Sequence, residues 1–129
     1  MSGTSVGDVF VAIDGNGIGR VIEGCILAER FAELTAFSEQ VTRIVQTLKH
    51  AIEIRGGEVY LAGGDNLLAR MPRNGLEEVC RQVADSETAR LHFAIGVGLD
   101  SRGAYLALKY AKTFSHRRVD YDGGFTCLD

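Results

Sequence analysis

Asp14 and Asp65 are the residues of this chain whose setting most suggests chemistry. Each ends a run of strand-forming residues and sits among glycines: Val9-Phe10-Val11-Ala12-Ile13-Asp14-Gly15-Asn16-Gly17 in the first case, Glu58-Val59-Tyr60-Leu61-Ala62-Gly63-Gly64-Asp65-Asn66 in the second. The stretch between them has helical patterning and no strand. A helical crossover joins parallel strands, so both aspartates are expected at one edge of the sheet, on neighbouring strands about 5 Å apart. Two carboxylates delivered this way can share a divalent metal. Nucleotidyl transfer needs such oxygens, to hold Mg²⁺ against a triphosphate and to lower the pKa of the attacking hydroxyl. The flanking glycines let backbone and phosphate approach closely. Singly, each aspartate reads as a turn residue, since Asp and Gly favour turns for backbone reasons; as a pair they point to a metal.

Other constellations are weaker. Gly15-Asn16-Gly17-Ile18-Gly19 looks like a dinucleotide-binding loop, but that motif needs Gly or Ala where Arg20 stands. Lys109, Lys112 and His116 recur at helical spacing, with Tyr105 above them, opposite an apolar face. Spacing alone makes this an ordinary solvated surface. Arg117 and Arg118 follow directly and thicken a positive end that suits a polyphosphate. His50 and His92 have no partner at ligand spacing: one reads as a helix-surface residue, the other as part of a strand. No Gly-x-Ser-x-Gly nucleophile motif occurs.

The elements that must position these groups follow from periodicity. Residues 8–14 are nearly all apolar, as in a strand buried on both faces. Ile18, Val21, Ile22, Cys25, Ile26 and Glu29 follow helical spacing. A second helix over 35–54 sets Phe37, Val41, Ile44, Leu48 and Ile52 on one face. Strands over 58–62 and 67–71 flank a hairpin turn at Gly63-Gly64-Asp65-Asn66. Asn74 and Glu77 form a capping-box pattern before a helix with Leu76, Val79, Cys80 and Val83 inward. Residues 91–99 make a continuous apolar strand. Ser101 is expected to cap a helix over 102–115 that buries Ala104, Ala107, Leu108, Ala111 and Phe114. Short strands at 117–121 and 125–128 surround Asp122-Gly123-Gly124. The order is βααββαβαβ: an α+β chain, a mixed sheet with helices packed against it.

At 129 residues the chain is expected to form one domain, 1–129, with a real core. Its net charge of −3 suggests no global grip on nucleic acid or on an anionic membrane, so no direct nucleic-acid binding is expected. Cys25, Cys80 and Cys127 are odd in number, far apart and in apolar surroundings. They read as reduced core thiols of a cytoplasmic protein. Residues 1–5 carry no basic leader and no apolar run reaches membrane length, so a soluble chain is expected.

Asp14-Gly15-Asn16-Gly17-Ile18-Gly19 together with Gly63-Gly64-Asp65-Asn66 resembles the minimal CRISPR polymerase family, whose stand-alone palm domains are similar to the polymerase subunit of type III CRISPR complexes and to GGDEF diguanylate cyclases. Phe93-Ala94-Ile95-Gly96-Val97-Gly98 resembles the penultimate strand of GGDEF domains. Residues 104–119 lie without gaps on their last helix, where Ala107-Leu108, Ala111-Lys112 and Arg118-Val119 match.

The resemblance implies a ferredoxin-like palm that uses two Mg²⁺ or Mn²⁺ ions to join nucleoside triphosphates into a cyclic di- or oligonucleotide second messenger for antiphage signalling. Asp14 and Asp65 match metal-binding, catalytic aspartates, and the implied metal set is Asp14, Gly15 and Asp65. Gly63 and Gly64 match glycines that let substrate lie close, and Lys112 matches a lysine on triphosphate oxygens. The nucleotide-binding set is Gly15, Asn16, Gly17, Gly63, Gly64, Asn66, Lys109 and Lys112. His116 falls where diguanylate cyclases carry an arginine. Asn16 and Asn66 replace residues commonly acidic in such palms; asparagine coordinates through its carbonyl oxygen but brings no charge, which lowers metal affinity. The expected partners are nucleoside triphosphates, a second copy of the chain and a product-binding effector protein. ATP is favoured, because no guanine-reading residues map onto this chain. The alternative is a palm that keeps the fold and binds nucleotide or protein without turnover.

Overall fold

The computed structural model describes residues 7–129. The leader reading made for residues 1–5 falls outside them. The chain runs β1 (Asp8–Asn16), α1 (Ile18–Leu27), α2 (Phe31–Glu53), β2 (Glu58–Gly63), β3 (Asn66–Pro72), α3 (Leu76–Ser86), β4 (His92–Gly98), α4 (Ser101–Thr113), β5 (Arg118–Tyr121) and β6 (Phe125–Cys127). These are the expected elements, both short strands after α4 included, although the order βααββαβαβ counts only one of those two. The strands form one mixed sheet in the order β2-β3-β1-β4-β5-β6. All neighbours are antiparallel except β4 and β5.

The sheet corrects the expected pairing of the two aspartate strands. β1 does not pair with β2; β3 lies between them, antiparallel to both. Two successive antiparallel steps leave β1 and β2 pointing the same way, as a helical crossover requires. The hairpin after β2 then folds β3 into the gap, because a short turn can only deliver an antiparallel neighbour. The consequence for Asp65 is favourable. Its turn sits at the C-terminal end of β1, where Asp14 is in register with Asn66.

The two faces of the sheet are covered differently. Val9, Val11 and Ile13 alternate along β1 and join the larger core with Phe37, Val41, Val45, Leu48 and Ile52 of α2 and with Leu76, Val79 and Val83 of α3. Val45 is buried where the sequence pattern favoured Ile44, which is only partly covered. Ala12 faces the other way and packs with Ala104, Ala107, Leu108 and Ala111 of α4. Small residues on this helix let it lie low on the sheet. A Cβ at Gly96 would come within 2.3 Å of the Ala104 carbonyl oxygen, and one at Gly98 within 2.3 Å of the Ala104 nitrogen. Both positions therefore need glycine. β1 is less enclosed than expected, since Phe10 and Asp14 are half-buried.

Local expectations were corrected at four further points. Asn74 and Glu77 make no capping box: Arg73–Gly75 is a 3₁₀ turn, Gly75 precedes α3 without a side-chain cap, and Glu77 pairs with Arg118. Asp100, not Ser101, caps α4, accepting from Gly103 N–H at 2.7 Å. Phe114 lies beyond the helix and is exposed; it packs on Tyr110 instead of the core. Cys25 is buried and Cys80 half-buried, but Cys127, on the edge strand β6, is exposed. No helix among the described residues is long and apolar enough to cross a membrane.

Candidate metal and nucleotide site

β1 carries Asp14 to the sheet edge, and the β2–β3 turn carries Asp65 beside it. Gly15 N–H donates to the Asp65 carbonyl oxygen at 3.1 Å, fastening the turn to the strand. A Cβ at Gly15 would lie 2.8 Å from Asp65 Oδ2 and 2.1 Å from Ile18 Cδ1, so only glycine admits both side chains. From the other face, Lys112 of α4 donates through Nζ to Asp14 Oδ2 at 2.7 Å and to the Gly15 carbonyl oxygen at 3.3 Å. Burial, and then the negative charge of Asp14, raise the Asp65 carboxyl above its ordinary value; its own backbone hydrogen bond and Lys112 oppose this. Two carboxyl groups this close are short of positive charge.

That arrangement fits a divalent ion. Among the described residues no group of three or more His, Cys, Asp or Glu side chains could hold a metal. The available oxygens are the Asp14 and Asp65 carboxylates and the Gly15 carbonyl. Hard oxygen donors of this kind suit Mg²⁺ or Mn²⁺, whose shells water and substrate phosphate complete. Lys112 already rests on two of these three groups as a cation.

The remaining predicted residues surround this point. Asn16 ends β1 in register with His92, and Gly17 (φ 72°) precedes α1, whose first turn has no side-chain cap. Uncapped N–H groups at a helix start are donors for phosphate. Gly63 and Gly64 are exposed, and a Cβ on either would meet nothing within 4 Å, so the turn faces open space. Asn66 is exposed at the start of β3. Lys109 lies against Tyr105, its Nζ 5.5 Å from the ring centroid.

The extended basic stripe is mostly engaged elsewhere. His116 pairs with Asp129 at 2.8 Å, and Arg117 with Glu87. Arg118 is buried between Glu77 and Asp120. Burial lowers its pKa, but hydrogen bonds to Asp120 and Glu77 outweigh that and hold it charged. Arg118 is thus a structural cation, not a phosphate ligand. His50 and His92 are exposed, on a helix and a strand as expected.

Two clefts reach the acidic pair, and a third lies beyond Asn16 and Lys112. One of about 230 Å³ lies between α1, α2 and the glycine turn, with Ile22, Ser38, Thr42 and Asp65 in its wall. A second, of about 160 Å³, lies on the opposite face, between α4 and the β1–β3–β2 surface, and includes Asp14. The third is broader, about 490 Å³, and is lined by Asn16, Lys112, His116 and Arg117 together with the acidic Glu87. Sequence reasoning missed Ser101 and Leu61 as cleft residues. Ser101, Tyr105, Leu108 and Lys112 nevertheless share one helical face, a spacing that could have linked them.

A family model described as the minimal CRISPR polymerase domain matches residues 10–121. No curated protein sequence matches the chain. Among solved structures, a diguanylate cyclase/phosphodiesterase from Caldicellulosiruptor saccharolyticus is similar, with a TM-score of 0.66 at 12% identity over 94% of this chain and 80% of that one. A bacterial light-regulated adenylyl cyclase gives 0.61 at 14% identity over 88% of this chain, which spans only 42% of that one. The guanylyl cyclase Cya2 gives 0.53 at 14% identity, covering 88% and 73% of the two chains. At these identities the likeness is one of fold: a mixed sheet with helices, as in the palm domains of nucleotide cyclases.

Proposed function

The chain belongs to the minimal CRISPR polymerase family, and we propose that it is a metal-dependent nucleotidyltransferase that joins nucleoside triphosphates, ATP foremost, into a cyclic di- or oligonucleotide. A ribose hydroxyl of one nucleotide attacks the α-phosphorus of another. The new P–O bond forms as the bond to pyrophosphate breaks, and the hydroxyl proton passes to solvent. Asp14, Asp65 and the Gly15 carbonyl would hold two Mg²⁺ or Mn²⁺ ions, which supply charge neutralisation and an acidified hydroxyl. Lys112 moves from Asp14 to the triphosphate oxygens, which the uncapped first turn of α1 also faces. A second messenger acting in antiphage defence through an effector protein is the role that fits such a product. A homodimer would bring two such sites together to close a ring.

The observation that carries this reading is Lys112 Nζ resting on Asp14 Oδ2 and the Gly15 carbonyl beside Asp65: one cation already held where the two motifs meet. The test is incubation with each labelled triphosphate and Mg²⁺ or Mn²⁺. Phosphatase-resistant product and pyrophosphate that vanish in Asp14→Asn and Asp65→Asn are expected. Turnover unaffected by both substitutions removes the reading. Asn16 and Asn66, neutral beside the acidic pair, favour a second reading in which the domain binds triphosphate without turning it over. Tight metal-dependent binding with no pyrophosphate under any triphosphate would establish it.

A further inference from the structure

The basic residues that follow α4 differ from Lys112 in what holds them. His116 is paired with Asp129, Arg117 with Glu87, and Arg118 with Glu77 and Asp120. None of those carboxylates belongs to the candidate metal set. Lys112 is tied to that set itself, through Asp14 Oδ2 at 2.7 Å and the Gly15 carbonyl oxygen at 3.3 Å. It stands in the last turn of α4 on a flexible four-carbon stem. Its side chain is 37% exposed and also lines the cleft beyond Asn16, so it has room to swing away.

We infer that Lys112 is a resident counter-cation that keeps the metal site closed to a divalent ion arriving alone, so that metal and triphosphate bind as one coupled event. The inference rests on the transferase reading above and deepens it, by setting how that one site fills. Charge comes first. Asp14 and Asp65 bring two negative charges and Lys112 returns one, which leaves a divalent ion a net single negative charge. Among the described residues no third acidic, His or Cys side chain joins them. The affinity of an oxygen site for a hard cation follows its number of charged ligands, so this site is weak while Lys112 stays. Position adds to the effect. The ammonium would stand no more than about 5 Å from an ion bonded to Asp14 Oδ2, close enough for like charges to repel. A triphosphate removes both obstacles. Its oxygens give Lys112 another partner, which releases Asp14 and the Gly15 carbonyl to the ion. A ligand that draws one cation off raises the affinity for the other, and the coupling is reciprocal.

The test measures Mn²⁺ binding without nucleotide, on the full chain, from the electron paramagnetic resonance signal of free Mn²⁺. Lys112→Met should bind Mn²⁺ about fivefold to fiftyfold more tightly than wild type. Lys112→Arg, which keeps the charge, should not show that gain, and adding Asp14→Asn to Lys112→Met should abolish it. A lysine with a structural role only would change the melting temperature and leave Mn²⁺ affinity alone. Equilibrium dialysis with α,β-methylene ATP, which resists transfer, is then run with and without Mn²⁺. The tightening that Mn²⁺ confers should be smaller in Lys112→Met than in wild type by a similar factor. Equal or weaker Mn²⁺ binding by Lys112→Met overturns the inference, as does a gain that survives Asp14→Asn or a tightening equal in the two proteins. Product formation by the wild type leaves the transferase reading in place in each of those cases. Absence of Mn²⁺ binding even with the analogue, together with absence of product, overturns the inference and the transferase reading together.

Discussion

The Asp65 carbonyl oxygen accepts a hydrogen bond from Gly15 N–H at 3.1 Å, so two motifs remote in sequence are joined through their backbones before any side chain acts. Because β3 runs beside β1, the turn that carries Asp65 cannot drift from the end of β1 without breaking the β1–β3 ladder. The placement of the two aspartates is therefore a property of the sheet.

Gly15→Ala tests that dependence. Its methyl would occupy space now held by Ile18 Cδ1 and Asp65 Oδ2. A stability loss of about 1–3 kcal/mol is expected from overpacking, together with loss of metal-dependent activity as Asp65 is pushed aside. Thermal melts with and without Mn²⁺ measure both effects. Unchanged Mn²⁺ stabilisation in this variant contradicts the cradle.

Much of this was legible in the sequence, and the limits are physical. Glycines beside each aspartate, helical periodicity between them and the run at 93–98 point to the elements and to the two aspartates that the fold brings together. Strand order was not legible. Periodicity identifies a strand without saying whether the next strand or the one after it becomes its neighbour, so β1 and β2 read as neighbours where β3 lies between them. Charge partners were likewise invisible: Arg118 reads as phosphate-binding until Glu77, 41 residues away in sequence, is seen to pair with it. Caps failed where two candidates were adjacent, as with Asp100 and Ser101.

Lys112→Met should separate stability from function. The Lys112–Asp14 ion pair is partly exposed, and such pairs contribute about 0–1 kcal/mol, so the fold should hold. Loss of a charge aimed at transferring phosphate should lower kcat/KM by about a hundredfold. Melting curves and steady-state kinetics check this. Equal loss in both would make Lys112 a structural residue only.

The raised Asp65 carboxyl gives a pH signature. A carboxyl whose folded pKa lies above its unfolded value binds its proton more tightly in the folded state. Its contribution to stability is complete below the ordinary value of 3.8 and is lost as pH rises through the raised value. Carboxylates such as Glu33, held low by its hydrogen bond to Arg90, act in the opposite sense, so the comparison is with Asp65→Asn. In metal-free protein, that variant should gain stability relative to wild type as pH rises from 3.8, and Mn²⁺ should remove the difference. A difference independent of pH argues against the coupled pair.

Gly96→Ala and Gly98→Ala test the seat of α4, which carries Lys112 to the site. Each methyl would come within 2.3 Å of α4 backbone atoms. A loss of about 3 kcal/mol or more is expected for each, read by urea denaturation, because backbone cannot rotate away as a side chain can. Gly19→Ala, in α1 where a Cβ meets nothing within 4 Å, is the comparison and should hold or gain up to about 1 kcal/mol.

The claim on which the rest depends is that Asp14 and Asp65 bind the same divalent ions. A crystal structure with Mn²⁺ and α,β-methylene ATP tests it most directly. Anomalous density between the two carboxylates, shared with the Gly15 carbonyl and the triphosphate, and Lys112 transferred to phosphate oxygens, is the predicted result. Manganese bound elsewhere, or Lys112 still on Asp14 with Asp65 turned to solvent, would contradict it.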